Sequence, residues 1–215
     1  MNERIRKAEV AKMFAEAAKQ IREQHRYLSE LDCVSGDGDH GTAMLHAVDQ
    51  LEAACRSESE QSLKVLLKSA GWKVLSVDGG ASSALLGTFF GGMGDAEIRD
   101  ELDCNGLACV FEAGLRAVSK QTKAQVGDKT MMDALIPAVC AIRSAASSGK
   151  TIPAALKEAH EAARSGAEST KDLIAKYGRA KFLGENTRGH QDAGATSIAL
   201  LFRGFSDAFA DERKS

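Results

Sequence analysis

The sequence lacks the cysteine patterns that form the disulfides of small secreted domains or the structural zinc sites of small metal-binding domains. It contains five cysteines among 215 residues, an odd number, and no two of them form a Cys-x-x-Cys pair. A disulfide framework or a structural zinc site is therefore poorly supported. We expect the five thiols to be reduced, as in a cytoplasmic protein.

Two further absences disfavour whole classes of partner. The formal net charge of −2 shows no excess of basic residues, so nucleic acid is not an expected partner. No apolar run approaches the length of a membrane span, and charges interrupt the apolar residues at the N-terminus, where a signal peptide would need a hydrophobic region. We expect neither membrane insertion nor secretion.

Proline is also rare, with two residues, and alternating β-branched residues are scarce. Apolar residues recur instead at helical spacing, which predicts an all-α protein in a single domain, 1–215. Eight helices are expected, at about 4–31, 41–55, 63–76, 79–94, 107–119, 131–144, 151–173 and 195–209.

One acidic stretch stands out between the first two predicted helices. Residues 31–44 read LDCVSGDGDHGTAM and place Asp32, Asp37 and Asp39 within eight positions. Three such charges repel one another unless a cation neutralises them, and carboxylate oxygens suit Mg²⁺ or Ca²⁺. The alternative is a solvated acidic turn in which each aspartate caps backbone N–H groups.

The positions of the glycine-rich loops favour the metal hypothesis. If eight helices alternate in direction, all even-numbered helices begin at one end of the bundle. The sequences preceding them are the unusual ones, namely GDGDHGT, DGGAS, GDKTMM and GHQDAGATS. Helix N-termini offer unpaired N–H groups and a partial positive charge, which bind phosphate. The sequence thus predicts a metal-assisted nucleotide diphosphate or triphosphate site at one rim, with His40 and His190 in rim loops beside carboxylates.

Known phosphate and calcium motifs do not fit this chain. Lys129-Thr130 follows Asp128 where a P-loop needs glycine. An EF-hand that began at Asp37 would place Val48 at the twelfth position, where glutamate is wanted.

Four ordered motifs carry a resemblance to a known family. They are LDxxxGDGDHGTAM at 31–44, GGASSALLGTFF at 79–90, GDKTMMDALIPA at 127–138 and GRAKFLGENTRGHQDAGATS at 178–197. Through them, essentially the whole chain resembles the stand-alone L subunits of bacterial dihydroxyacetone kinases. The resemblance implies an eight-helix antiparallel up-and-down barrel with a nucleotide, ADP or ATP, at one end.

The resemblance also implies roles for individual residues. Asp32, Asp37 and Asp39 would hold two Mg²⁺ ions that bridge the nucleotide phosphates and act as the catalytic centre. Further residues would bind the nucleotide: His40, Gly41, Thr42, Ala43, Ala81 and Ser82 at the phosphates, and Thr122, Met131, Arg179, Asp192, Ala193 and Gly194 around the ribose and base. Ala43 stands where relatives often carry asparagine, and Thr122 where some carry glycine.

In this family a partner K subunit holds the ketose and the L subunit presents the phosphoryl donor. The resemblance therefore implies a phosphotransferase that is inactive without its K partner, and a phosphotransferase-system protein that recharges bound ADP is one source of phosphate. The alternatives are a kinase subunit for another short ketose such as erythrulose, or a nucleotide-sensing interaction module. The oligomeric state stays open, with a homodimer among the options.

Overall fold

The computed structural model describes residues 4–57, 62–77, 79–97 and 99–210, and the polar stretch predicted after the second helix lies partly outside them. Within these ranges the chain forms α-helices and short 3₁₀ segments, which confirms the all-α prediction. The α-helices, numbered α1 to α8 in chain order, are Lys7–Cys33, His40–Ser57, Leu63–Leu75, Gly80–Met93, Cys104–Ser119, Met132–Ser147, Ile152–Ser169 and Ala193–Asp207.

The helices form a closed ring. Each helix packs against the next one in the chain, and α8 packs against α1. Because consecutive helices alternate in direction, α2, α4, α6 and α8 all begin at the same end. The eight-helix antiparallel barrel is therefore confirmed, and so is the prediction that the unusual loops share one rim.

Aromatic side chains fill the centre of the ring. Phe14 of α1 meets Phe90 of α4 edge-on, with ring centroids 5.3 Å apart. Phe111 of α5 contacts both Phe202 and Phe205 of α8 at centroid distances of 5.6 and 5.9 Å. All five rings are buried. Such pairs stabilise the core beyond the area they bury, and they tie α1, α4, α5 and α8 into a rigid support for the rim.

Some helices approach each other unusually closely. A Cβ atom on Gly71 of α3 would lie 2.3 Å from the Cα of Gly91 in α4, and one on Gly204 of α8 would lie 2.3 Å from the Cα of Ala17 in α1. Only glycine fits at positions 71 and 204, because a methyl group at either position would overlap the backbone of the facing helix.

Several helix ends differ from the predicted ones by up to four residues, and one further short helix was not predicted. α5 begins at Cys104 rather than 107, because the Asp103 carboxylate accepts a hydrogen bond from the Gly106 amide and so caps the helix. α7 ends at Ser169 rather than 173, and a 3₁₀ turn at Thr170–Asp172 follows. A second 3₁₀ segment, Ala180–Thr187, lies inside the stretch predicted as a loop.

The sequence predicts no membrane-spanning helix, and the helices of the structure can be compared with this prediction. Among the residues that the structure describes, no helix combines the length and the hydrophobicity needed to span a bilayer.

Candidate functional site

A cavity of about 550 Å³ opens at the rim where the even-numbered helices begin. Its volume lies in the range usual for small-molecule sites. The wall is formed by the starts of α2, α4, α6 and α8, by the segment after α5 and by residues 177–180. The four loops that the sequence singles out are thus brought around one space.

The three aspartates of the acidic stretch meet at this cavity. Asp32 lies in the last turn of α1, and Asp37 and Asp39 lie in the loop that leads into α2. One carboxylate oxygen from each lies within 4.8 Å of the other two. Oxygen-only donor sets suit hard divalent cations, which take oxygens at about 2.0–2.6 Å. The residues present therefore fit a Mg²⁺ site.

Two glycines let the chain turn tightly around Asp32. The Gly38 amide donates a hydrogen bond to Asp32 Oδ2 at 2.9 Å, and Gly38 has a φ of +77°, which glycine adopts readily. A Cβ atom on Gly36 would lie only 2.2 Å from Asp32 Oδ1. The glycines therefore fix the direction of this carboxylate.

Charge at the cluster is only partly compensated. The guanidinium of Arg179, from the segment before α8, forms an ion pair with Asp37 and holds the pKa of that carboxyl below its usual range. Asp39 is exposed, yet its pKa lies above its usual range, first because the surrounding loop takes away part of its hydration and then because of the neighbouring charge of Asp37. A bound cation would relieve this repulsion.

The start of α4 provides a place for phosphate oxygens. Gly79, Gly80, Ala81 and Ser82 line the cavity. Within the described residues, no side chain caps the first turn of α4. Its leading amides are thus available to an anion, and the helix dipole adds a partial positive charge.

His40 is fixed at the first position of α2. It is buried, and its Nε2 lies 2.7 Å from Ser197 Oγ of α8. The Ser197 hydroxyl also lies 3.0 Å from the Ala193 carbonyl, to which it donates, so the ring N–H donates to Ser197. Burial lowers the pKa of His40, which favours the neutral ring.

Met131 and the start of α8 form another part of the wall. A Cβ atom on Gly194 would lie 3.4 Å from the Met131 Cβ, so the two residues are in close contact. Asp192 caps α8 by accepting a hydrogen bond from the Ala195 amide at 2.7 Å. Removal from solvent raises the pKa of Asp192 to about 6.

Comparison with known proteins assigns this arrangement to a family. A model of the DAK2 domain matches residues 34–207, which is most of the chain. The chain belongs to the DAK2 domain family. The match to the DAK2 model begins within the acidic stretch and ends at the last residue of α8. It therefore includes every predicted site residue except Asp32, which lies two positions before its start.

Curated relatives align with most of the chain. The ADP-binding subunit DhaL of PEP-dependent dihydroxyacetone kinase 1 from Listeria innocua is 39% identical over 184 residues, 86% of this chain and 87% of the relative. The corresponding subunit from Escherichia coli is 36% identical, over 84% of this chain and 86% of its own length. An L-erythrulose 1-kinase from Mycolicibacterium smegmatis is also 36% identical, but the aligned part is 32% of that protein.

A solved structure shares the DAK2 fold. The dihydroxyacetone kinase from C. freundii, in complex with AMP-PNP and Mg²⁺, superposes with a TM-score of 0.71 at 24% identity. The match covers 93% of this chain and 34% of that one. This similarity supports the helical barrel as the shared architecture.

Most of the predicted DAK2 site residues line the cavity, and three do not. The cavity wall contains Asp32, Asp37, Asp39, His40, Ala81, Ser82, Thr122, Met131, Arg179, Asp192, Ala193 and Gly194. Gly41, Thr42 and Ala43 lie outside this wall. Gly41 packs on α1, where a Cβ would lie 1.9 Å from the His25 carbonyl oxygen, and Ala43 packs against Gly79.

Two predicted residues have surroundings that the sequence did not indicate. Arg179 was grouped with the residues around ribose and base, but its guanidinium lies on Asp37 in the acidic cluster. Thr122 lies in the segment after α5, where its hydroxyl oxygen accepts a hydrogen bond from the Ala124 amide at 3.1 Å. His190, in contrast, is absent from the cavity wall.

Sequence reasoning missed two residues that shape the loop before α6. The buried Asp133 carboxylate accepts hydrogen bonds from the Gly127 and Thr130 amides, both at 2.7 Å. Thr130 Oγ1 in turn accepts from the Met132 amide. The pattern Thr-x-x-Asp is a capping-box signal and so was available in the sequence. Lys129, whose side chain is also buried here, gave no such signal.

Proposed function

We propose that this chain is the Mg²⁺–nucleotide-binding subunit of a dihydroxyacetone kinase, which presents the phosphoryl donor to a ketose held by a partner K subunit. One observation carries the proposal. Three converging carboxylates and the start of α4, which none of the described side chains caps, face the same cavity. The names of the relatives, ADP-binding subunits of dihydroxyacetone kinases, agree with this arrangement.

The carboxylates of Asp32, Asp37 and Asp39 would hold Mg²⁺, two ions by analogy with the family. A metal held by these carboxylates would supply positive charge to a transferring phosphoryl group. The chain itself contributes positioning: Gly36 and Gly38 fix Asp32, and Arg179 holds Asp37 at the mouth of the cavity. Phosphoryl transfer depends mainly on such positioning and charge compensation.

The rest of the cavity would accommodate the nucleotide, ADP or ATP. The phosphates fit the starts of α2 and α4, with His40, Ala81 and Ser82. Ribose and base fit the wall of Thr122, Met131 and Asp192–Gly194. Gly41, Thr42 and Ala43 lie at the first turn of α2, where the amides of Gly41 and Thr42 would contact phosphate, since a helix start can bind phosphate through its amides alone. The Ala43 amide donates to the Asp39 carbonyl, so Ala43 would contribute only packing beside the phosphates.

The buried core supports a single domain, and the remaining parts of the proposal concern its partners. One continuous buried cluster extends from Ile5 to Phe209, which favours a single domain built for one site. We propose that the ketose is bound by the K subunit and that the chain is inactive alone. We further propose a cytoplasmic location, with either free ATP or a phosphotransferase-system protein as the source of phosphate and with a homodimer as one option for the oligomeric state.

A second substrate is favoured by one observation. An L-erythrulose kinase from Pectobacterium atrosepticum is 33% identical to this chain over a segment that makes up 30% of its length. A DAK2 unit of this kind can therefore serve another short ketose, with substrate choice residing on the remaining part of the protein.

The test is a reconstitution with K subunits from dihydroxyacetone kinases. The chain is mixed with a K subunit, Mg²⁺ and either ATP or a phosphoenolpyruvate-driven phosphotransferase system, and dihydroxyacetone phosphate and erythrulose phosphate are quantified. We expect a ketose phosphate only when both subunits are present. Product from the chain alone, or none with any K subunit although ADP binds, would contradict the proposed role.

A further inference from the structure

The buried ammonium group of Lys129 joins three segments of the rim. Lys129 precedes α6, and its side chain is almost completely buried. Its Nζ donates hydrogen bonds to the carbonyl oxygens of Thr170 and His190, each at 2.5 Å. These carbonyls lie at the end of α7 and just before α8. A charge-assisted bond to each carbonyl holds the three segments together.

A second set of contacts continues from Lys129 to the cavity wall. The hydroxyl oxygen of Thr170 accepts a hydrogen bond from the Asp192 amide at 2.9 Å. The Gly189 amide donates to the Lys171 carbonyl at 2.8 Å. The backbone on both sides of His190 is therefore fixed. Since Asp192–Gly194 line the cavity, their position depends on the segment that Lys129 holds.

The backbone at Lys129 supports a specific role for its side chain. Among the described residues, Lys129 is the only non-glycine with a positive φ, +58°. Glycine would adopt this conformation without strain. Burial also lowers the pKa of the Lys129 ammonium, so a charged group here needs its hydrogen-bond partners. A buried lysine in a strained backbone conformation that bonds two carbonyls indicates that its ammonium group is needed to hold these segments in place.

We propose that Lys129 is a positioning residue of the nucleotide site, which fixes the wall formed by Met131 and Asp192–Gly194 by binding the carbonyls of Thr170 and His190. The inference rests on the proposed nucleotide function. It adds a residue that acts through the backbone of the rim.

The test compares two lysine variants of the full chain. Lys129→Met keeps the length of the side chain and removes the ammonium. Lys176→Met is the matched control, because Lys176 is exposed and bonds Asp128 at the surface. For each variant, the dissociation constant for ADP in Mg²⁺ and the hydrogen exchange of the Gly189 and Asp192 amides are measured below the unfolding temperature.

For Lys129→Met we expect at least fivefold weaker ADP binding and at least tenfold faster exchange of the two amides. Lys176→Met should bind ADP within twofold of the native protein. A purely stabilising role would lower the melting temperature of Lys129→Met and leave ADP affinity within twofold of native, which would overturn the proposal. If the native protein bound no ADP, the proposed function would fail instead.

If Lys129→Met does not fold, the native protein provides the readout. The Lys129 ammonium is observed by ¹⁵N NMR while ADP and Mg²⁺ are added. A slowly exchanging ammonium signal that shifts with saturation by ADP supports the positioning role. An ammonium signal that does not change while ADP binds contradicts it.

Discussion

At the scale of single residues, the site depends on how closely the backbone approaches Asp32. Gly36 lies against this carboxylate, and no larger residue fits there without moving it. The neighbouring Asp37 and Asp39 gain their positions from the same short loop. The geometry of the candidate metal ligands therefore depends on glycines as much as on the aspartates.

Gly36→Ala should weaken metal-dependent nucleotide binding. The new Cβ would lie 2.2 Å from Asp32 Oδ1, so the carboxylate must turn away from the cluster. We expect ADP affinity in Mg²⁺ to fall by about tenfold or more, since a lost charge-assisted contact is worth about 1.5–3 kcal/mol and about 1.4 kcal/mol is tenfold. The control is Gly91→Ala, whose Cβ has no neighbour closer than 3.7 Å. Equal ADP affinities for both variants, by calorimetry, would argue against a role for Asp32 in binding.

Asp192 should make stability depend on pH. Its pKa is raised to about 6 in the folded chain, against about 3.9 when unfolded. Between these values the folded state binds more protons, so the free energy of unfolding falls as pH rises from about 4 to 6.

Asp192→Asn keeps an oxygen that can cap α8 and removes the charge. Without ligand, the variant should be more stable than the native protein at pH 7, by about 1 kcal/mol or more, and the gain should shrink toward pH 4. Denaturant unfolding at a series of pH values measures this difference. A gain that is independent of pH would contradict the assigned pKa.

Residue patterns predicted the acidic cluster but not every neighbour in the cavity. Three aspartates within eight positions are visible in the sequence, and their carboxylates do converge. The ion pair between Arg179 and Asp37 joins residues 142 positions apart, and no local pattern encodes it. The role of Lys129 was not predicted for a related reason, because its partners are backbone carbonyls of distant segments.

At the scale of helices, close crossings set the shape of the barrel. Gly71 of α3 and Gly91 of α4 face each other, but their surroundings differ. A Cβ on Gly71 would meet the Gly91 Cα and N at 2.3 Å, whereas a Cβ on Gly91 would be 3.7 Å from the Gly71 Cα. The crossing therefore tolerates a methyl group on one helix and not on the other.

Gly71→Ala should lower the free energy of unfolding by about 1–3 kcal/mol, as overpacking usually does. Gly91→Ala should be neutral or raise it by up to about 1 kcal/mol, because alanine favours a helix more than glycine does. Denaturant unfolding of both variants checks the pair. Similar losses in both would show that the α3–α4 crossing is not as close as described.

Helical periodicity was sufficient to predict all eight helices, and alternation placed the special loops at one rim. The ends were less certain because capping decides them: Asp103 extends α5 by three residues. The 3₁₀ segment Ala180–Thr187 was not predicted, since its sequence AKFLGENT has no apolar period and lies in a loop that glycines interrupt. Local patterns also could not predict that α8 packs against α1 and closes the ring, because this contact depends on long-range packing.

At the scale of the whole molecule, the chain presents an open, acidic rim to its surroundings. The cavity opens beside Asp37 and Arg179, both of which are largely exposed. An open mouth suits a subunit that delivers a phosphoryl group to a substrate on another protein. The rigid aromatic core below the rim would keep the ligands in place during that encounter.

The most direct test of the account is a calorimetric titration of ADP into protein stripped of nucleotide and metal by dialysis against a chelator. We expect one ADP per chain in the presence of Mg²⁺, no measurable binding in its absence, and at least tenfold weaker binding by Asp39→Asn. The same ADP affinity with and without Mg²⁺, or no binding under either condition, would contradict a metal-dependent nucleotide site at the acidic cluster.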